Sequence, residues 1–121
     1  MKYLLLVHHD EEAFRKISKE EQQQMLAESV QLTHQLHDNG QYLSASPLHP
    51  AATAAIVRVR DGKQTVTDGP FVETKEQFAG YFLINARDLN EAISIAVRVP
   101  GARIGTVEVR PLIEITGLPN A

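Results

Sequence analysis

The chain has 121 residues, of which 43% are hydrophobic and 22% charged, the balance of an ordinary globular protein. This length predicts a single domain, residues 1–121. The net charge of -3 argues against nucleic acid as a partner, and the absence of cysteine excludes disulfides, thiolate catalysis and Cys-based zinc sites. Because no run approaches about 18 apolar residues, we expect a cytoplasmic protein without a membrane partner.

The N-terminal part of the chain predicts a strand followed by a long helix. YLLLV, residues 3–7, is apolar without alternation, which is typical of a strand covered on both faces. Ser18 and Glu21 form a capping box, and apolar residues then recur at helical spacing until Gly40. We therefore predict an amphipathic helix over residues 18–38.

The middle of the chain predicts strands joined by a hairpin. QYLSAS, residues 41–46, is a short strand, and LHPAAT, residues 48–53, is a loop because Pro47 and Pro50 remove backbone donors. The next two strands flank Asp61-Gly62, a dipeptide suited to the positive φ angles of a type I′ turn. FAGYFLINA, residues 78–86, then predicts another strand.

The C-terminal part predicts a second helix and a last strand. Asp88 and Glu91 open a helix with one apolar stripe, which ends at Pro100-Gly101. GTVEVRPLIEI, residues 105–115, alternates apolar and charged residues and predicts the last strand.

This order of elements predicts a ferredoxin-like α+β subunit, in which two helices cover one face of an antiparallel sheet and an extra β-hairpin is inserted. The first strand is apolar on both faces, and the chain encodes no third layer to cover the second face. Burial of apolar area is worth about 25 cal/mol per Å². We therefore predict a homodimer in which two sheets pack around a two-fold axis.

Three segments carry a resemblance to a known family. They are RVRDG at residues 58–62, TVTDGPFVETKEQFAGYFLI at residues 65–84 and DLNEAISIAVRVPGARIGTVEVRPL at residues 88–112. With them the chain resembles the DGPF-type branch of the YCII-related family. The resemblance implies a dimeric α-β barrel built from ferredoxin-like subunits, with a biochemical role that is largely unassigned.

The wider family suggests an enzyme through a His on the first helix and an Asp after the second. In this chain the corresponding positions are Ser29 and the segment RVPG, residues 98–101, so the pair is not carried over. Some relatives are fused to sigma-factor-like domains. The resemblance therefore also implies an alternative role as an accessory module linked to transcription.

The DGPF loop contains the first candidate site residues. Gly69 is expected to adopt a backbone conformation closed to other residues, and Pro70 then fixes the direction of Asp68. The Asp68 carboxylate can cap nearby backbone N–H groups, or it can project into a cleft as an acid or base. Glu73 and Lys75 share one side of an extended segment, where they can pair with each other or contact a ligand.

Further candidates lie on the first and last strands. His8 and His9 precede a group of carboxylates and are candidate bases, but neighbours on a strand point to opposite faces, so one pocket can receive only one of them. Glu108 and Arg110 share a face, where they pair or where Arg110 holds an anionic ligand. His49, in the proline-flanked loop, is a surface or site residue.

We therefore predict a protein that binds a small molecule or a partner at a pocket near the DGPF loop. The alternative is a small-molecule enzyme in which Asp68 or one of His8 and His9 carries the proton, with Arg110 or Lys75 orienting an anion. Neither a metal nor a cofactor is predicted.

Overall fold

The computed structural model describes residues 1–119. Its helices and strands, in chain order, are β1 (Lys2–His9), α1 (Glu11–Lys16), α2 (Lys19–Asp38), β2 (Tyr42–Pro47), β3 (Ala55–Arg60), β4 (Lys63–Asp68), β5 (Gln77–Asn85), α3 (Leu89–Ala96) and β6 (Thr106–Pro111). Short 3₁₀ turns at Ala51–Thr53 and Pro100–Arg103 complete it. Within these residues no helix is long and apolar enough to cross a membrane.

The predicted ferredoxin-like α+β fold is confirmed. Four antiparallel strands form one sheet in the order β2-β5-β1-β6, and β3 with β4 forms a separate hairpin. In the central register Leu5 lies between Phe82 of β5 and Val109 of β6. The first strand is therefore an inner strand with neighbours on both sides, as its continuous apolar run predicts.

The core lies on one face of this sheet. Alternate side chains of β1 point into it, and both long helices cover it with Leu32 and Leu36 of α2 and Ala92, Ile95 and Ala96 of α3. On β1 the core residues are Tyr3, Leu5 and Val7. Leu4 and Leu6 point to the opposite face of the sheet. They are half-buried there and are not part of the core that the helices cover.

The predicted hairpin also forms. Asp61 and Gly62 have φ angles of 52° and 75°, the positive values that a type I′ turn requires. Val57 of β3 lies opposite Val66 of β4, and these side chains are 63% and 68% exposed. The hairpin thus contributes little to the core and extends from the main sheet.

Helix α1 was not expected from the sequence. Asp10 caps it, since its Oδ1 accepts a hydrogen bond from the Ala13 N–H at 3.1 Å. Six residues are too few for helical periodicity to be recognised, and the acidic residues after His9 suggested only a group of carboxylates at a strand end. Asp10 and Glu11 instead serve as the cap and the first residue of a helix.

The predicted start of α2 is confirmed, but two predicted ends are too late: α3 ends at Ala96, before Pro100-Gly101, and the last strand also ends early. Ser18 caps α2, with its Oγ accepting from the Glu21 N–H at 3.1 Å. β6 ends at Pro111 rather than at residue 115, so that prediction was too long. Proline has no N–H to donate, and after the Leu112 N–H donates to the Lys2 carbonyl the chain leaves the sheet.

Candidate ligand cavity

A cavity of about 330 Å³ lies between α2 and the core face of the sheet. Its volume is within the range of small-molecule sites, which begins at about 300 Å³. Its wall is formed by β1, β2, β5, α2 and the Pro100–Arg103 turn, through residues that include Val7, Ser29, Tyr42, Gly80, Phe82 and Pro100. Most of this wall is apolar, so the cavity suits a ligand with a hydrophobic body.

The cavity exists because small residues lie in the sheet beneath the first and middle turns of α2. Ala45 of β2 and Ala79 and Gly80 of β5 occupy the sheet there. A Cβ at Gly80 would lie 2.9 Å from the Ser46 carbonyl oxygen, so the close pairing of β2 with β5 requires glycine. The core residues Leu32 and Leu36 belong to the C-terminal half of α2, and there the helix packs directly on the sheet.

Ser29 is one of the α2 residues that line this space. Its hydroxyl donates to the Met25 carbonyl at 2.9 Å, so the polar atom is already satisfied by the helix itself. Thr33, one turn further along the same wall, donates to the Val30 carbonyl at 2.6 Å. Because both hydroxyls donate within the helix, a ligand would meet mainly apolar atoms on this part of the wall.

His9 lies at one end of the cavity. β1 directs Val7 and His9 to the core face and His8 to the other face, and the His9 ring stacks on Phe14 of α1 with 4.6 Å between centroids. Burial lowers the pKa of His9 below its ordinary value, although the carboxylates of Glu11, Glu76 and Asp10 act to raise it. The ring is therefore neutral at neutral pH.

Gln77 holds this end of the cavity together. It pairs with His9 across the sheet, and its Oε1 accepts from the Glu11 N–H at 2.9 Å. Its Nε2 donates to the Thr74 carbonyl at 2.6 Å. The Glu11 carboxylate in turn accepts from the Ala51 N–H at 2.9 Å, so α1, β5 and the loop before β3 meet here.

Glu76 is fixed beside the same end. Its Oε1 accepts a hydrogen bond from the Thr106 hydroxyl at 2.8 Å, and Thr106 pairs with His8 in the sheet. The motif DGPFVETKEQ spans residues 68–77. Its TKEQ half, residues 74–77, therefore organises the end of the cavity next to His9. This explains why the connection between β4 and β5 is long and polar.

The DGPF half of the motif has a different place. Gly69 follows β4, its N–H donates to the Ala54 carbonyl at 2.7 Å, and the Gly69-Pro70 bond is cis. Gly69 does not have the positive φ that would restrict the position to glycine; instead, a Cβ there would lie 2.7 Å from the Ala54 Cβ. Close approach to Ala54, rather than an unusual φ, explains the glycine.

Asp68 is exposed and lines a smaller concavity of about 180 Å³ on the hairpin. Its carboxylate forms no capping hydrogen bond with residues 1–119, so the capping interpretation is not supported. Arg58 lies over the Phe71 ring in the same concavity, 5.3 Å from the centroid. A depression thus borders the DGPF loop, and it is separate from the cavity under α2.

The other candidate residues do not gather at either concavity. Glu73 and Lys75 are exposed and form no ion pair with each other within the described part of the chain, and His49 is exposed in its loop. On the second face of the sheet, His8 Nε2 lies 3.3 Å from Glu108 Oε1. Arg110 lies 3.8 Å from Glu108 Oε2, which confirms that these two residues pair on one face.

Sequence reasoning located His9 but missed the residues that surround it. Phe14 was missed with α1, and Tyr42 was missed because the space between a helix and a sheet leaves no local pattern. Ser29 was noted only as the position at which the family's helix His is absent. Glu76 was visible as part of a charged loop, but its position depends on the register of β5. Within residues 1–119, no three His, Asp or Glu side chains are grouped as metal ligands.

The fold and this cavity define a class: a ferredoxin-like α+β domain with an apolar space between its long helix and its sheet. Comparison with known proteins is more specific, because residues 1–116 match the model of the YCII-related domain. The chain therefore belongs to the YCII-related family. It is similar to an uncharacterized protein of Rhizobium meliloti (strain 1021), with 35% identity over 114 residues, covering 93% of this chain and 92% of that protein.

Proposed function

We propose that this YCII-related protein binds a small molecule with an apolar body in the cavity under α2. The observation that carries the proposal is the cavity itself, about 330 Å³ of space whose wall is mostly hydrophobic and which one histidine ring borders. Sites of this kind combine apolar walls with a few placed polar groups. Here His9 and the Tyr42 hydroxyl are candidates for that polar role.

The cavity also lies where the resemblance to the family places its His and Asp, which supports the proposal. The two places at which enzymatic relatives are expected to carry a His and an Asp correspond here to Ser29 and residues 98–101. Ser29, Pro100 and Gly101 all line this cavity. The chain thus keeps the space at that location while lacking the His and Asp side chains.

The test is titration with a neutral naphthyl compound, 2-naphthylmethanol, followed by ¹H–¹⁵N chemical shifts and calorimetry. We expect the amide signals of Gly80 and Gly101 to move, since both residues line the cavity. Ser29→Leu fills the space from α2 and should weaken binding by roughly tenfold or more, about 1.4 kcal/mol.

Gln31→Leu is the matched control because it adds an apolar side chain at an exposed position of α2 outside the cavity. It should leave the affinity unchanged. If naphthylmethanol shifts no cavity signal, or if the Ser29→Leu and Gln31→Leu variants bind it equally well, the cavity is not the site.

We also infer that the binding unit is a homodimer joined through the second face of the sheet. Leu4 pairs with Leu83 and Leu6 with Tyr81 across β1 and β5, which forms an apolar strip on the side away from the helices. No helix of the described chain contributes a core residue on that side. A second copy would shield the strip and would bring His8 and Glu108 to the interface.

A catalytic role is the second candidate function, and the position of His9 favours it. The ring lines the cavity, and its lowered pKa keeps it in the form that can accept a proton. Asp68, the other proposed proton carrier, lines the hairpin concavity instead. If His9 is a base, His9→Gln should retain probe binding but abolish turnover of any compound that the wild type transforms.

A further inference from the structure

One end of the cavity under α2, the end that His9 lines, has carboxylates nearby, and their negative charge affects which ligands can bind. We propose that the cavity selects molecules that are neutral or cationic and discriminates against carboxylates of the same shape. This inference rests on the proposed function, since it concerns the ligand of the same site.

The first step is the position of the charges. The register pairs His9 with Gln77, so Asp10 and Glu76 lie at the same end of two neighbouring strands. Glu11 begins α1 directly beyond them, and its backbone N–H is bonded to Gln77. Three carboxylates therefore lie near the His9 ring, behind the end of the cavity that this ring lines, although none of them forms part of the cavity wall.

The second step is that these carboxylates are held in place. Asp10 caps α1 through the Ala13 N–H at 3.1 Å, Glu11 accepts from the Ala51 N–H at 2.9 Å, and Glu76 accepts from the Thr106 hydroxyl at 2.8 Å. All of these bonds involve neutral donors, so none of them cancels a negative charge. The charged groups that act on the His9 ring are these same three carboxylates.

The third step concerns His9 itself. Because its ring is neutral at neutral pH, it does not offset the surrounding negative charge. It can still donate or accept one hydrogen bond, which suits a hydroxyl or an amine on the ligand. An anionic group placed beside it would lose hydration and be repelled by the three carboxylates near the ring.

The experiment compares three probes that share the naphthyl body: 2-naphthylmethanol, 2-naphthylmethylamine and 2-naphthoate. At about pH 7 they are neutral, cationic and anionic. We expect the amine and the alcohol to bind and the carboxylate to bind at least about tenfold more weakly in low salt, with a smaller difference in high salt.

Glu76→Gln is the informative variant because its amide oxygen can still accept from Thr106 while the charge is removed. It should improve naphthoate affinity by roughly threefold to tenfold and leave naphthylmethanol affinity nearly unchanged. Glu12→Gln is the matched control, since Glu12 is exposed, lies on the same helix as Glu11 and has Lys16 at 3.9 Å. It should change neither affinity.

The outcomes separate this inference from the proposed function. If naphthylmethanol fails to bind, the cavity itself is not a site. If naphthylmethanol binds in the cavity but naphthoate binds equally well, only the charge selectivity is wrong. Equal gains in naphthoate affinity from Glu76→Gln and Glu12→Gln would also overturn it, because the effect would then follow from total charge rather than from position.

Discussion

At the scale of single residues, two neighbours on one strand have different surroundings. His9 stacks on Phe14 at the end of the cavity, whereas His8 lies on the second face beside Glu108 and 5.6 Å from the Phe78 ring. The alternation of a strand alone separates them. Of the two, His9 is therefore the one placed to contact a ligand in the cavity, and burial lowers its pKa.

The lowered pKa of His9 predicts a pH dependence of stability. The unfolded chain binds a proton at His9 near its ordinary pKa of 6.5, while the folded chain binds it only at lower pH. The contribution of His9 to the free energy of unfolding is therefore fully present above pH 6.5. It decreases as the pH falls from 6.5 through the pKa of the folded state. His9→Gln should lose less stability than the wild type over this interval, as measured by urea unfolding.

His49→Gln is the control for that comparison, since His49 is exposed. It should keep the pH dependence of the wild type. Parallel losses of stability in the wild type and the His9→Gln variant on acidification would contradict the proposed surroundings of His9.

At the scale of elements, a short helix is held by long-range hydrogen bonds. α1 has no buried residue of its own, so its position depends on hydrogen bonds to other elements. The Glu11 N–H donates to Gln77 Oε1, and the Glu11 carboxylate accepts from the Ala51 N–H. The Gln22 amide donates to the Phe14 carbonyl at 2.9 Å. The helix carries Phe14, which stacks on His9. The polar half of the motif thus shapes the cavity by positioning a helix more than 60 residues earlier in the chain, since Glu11 and Gln77 are 66 residues apart.

Removal of the Gln77 side chain should loosen α1. Gln77→Ala leaves the Glu11 N–H and the Thr74 carbonyl without their partner, which costs about 1–3 kcal/mol. The amide of Phe14, bonded to the Asp10 carbonyl, should exchange with solvent about tenfold faster. Native-state hydrogen exchange measures this directly.

Gln23→Ala makes the same chemical change at an exposed position of α2. It should not affect the exchange of the Phe14 amide. If Gln77→Ala leaves that exchange unchanged as well, α1 is held by other contacts.

At the scale of the whole molecule, the sheet has one covered face and one apolar strip. The helices bury Tyr3, Leu5 and Val7, while Leu4 and Leu6 are only half-buried on the other side. Burial of such side chains is worth about 1.5–3 kcal/mol each. Association through this face is the arrangement that would bury them without any change in the fold of the subunit.

The proposed homodimer predicts a sedimentation result. Wild-type protein at micromolar concentration should sediment as a dimer, and Leu6→Lys should shift it to a folded monomer because an interface through this face would have to bury two ammonium groups. Val97→Lys, at a position 71% exposed on the helical side, should remain dimeric. A wild-type protein that sediments as a monomer at these concentrations would contradict the proposed homodimer.

The order of the strands and of the two longer helices follows from local signals, namely hydrophobic periodicity, the capping residues Ser18 and Asp88 and the Asp61-Gly62 turn. The short helix α1 left no such signal. The sequence also indicated the family, through a motif of consecutive residues. By contrast, the packing of distant segments sets the distance of α2 from the sheet above Ala45 and Gly80 and the position of Glu76 beside His9. A cavity and a strand register depend on which distant segments meet, and no local pattern of residues records that distance.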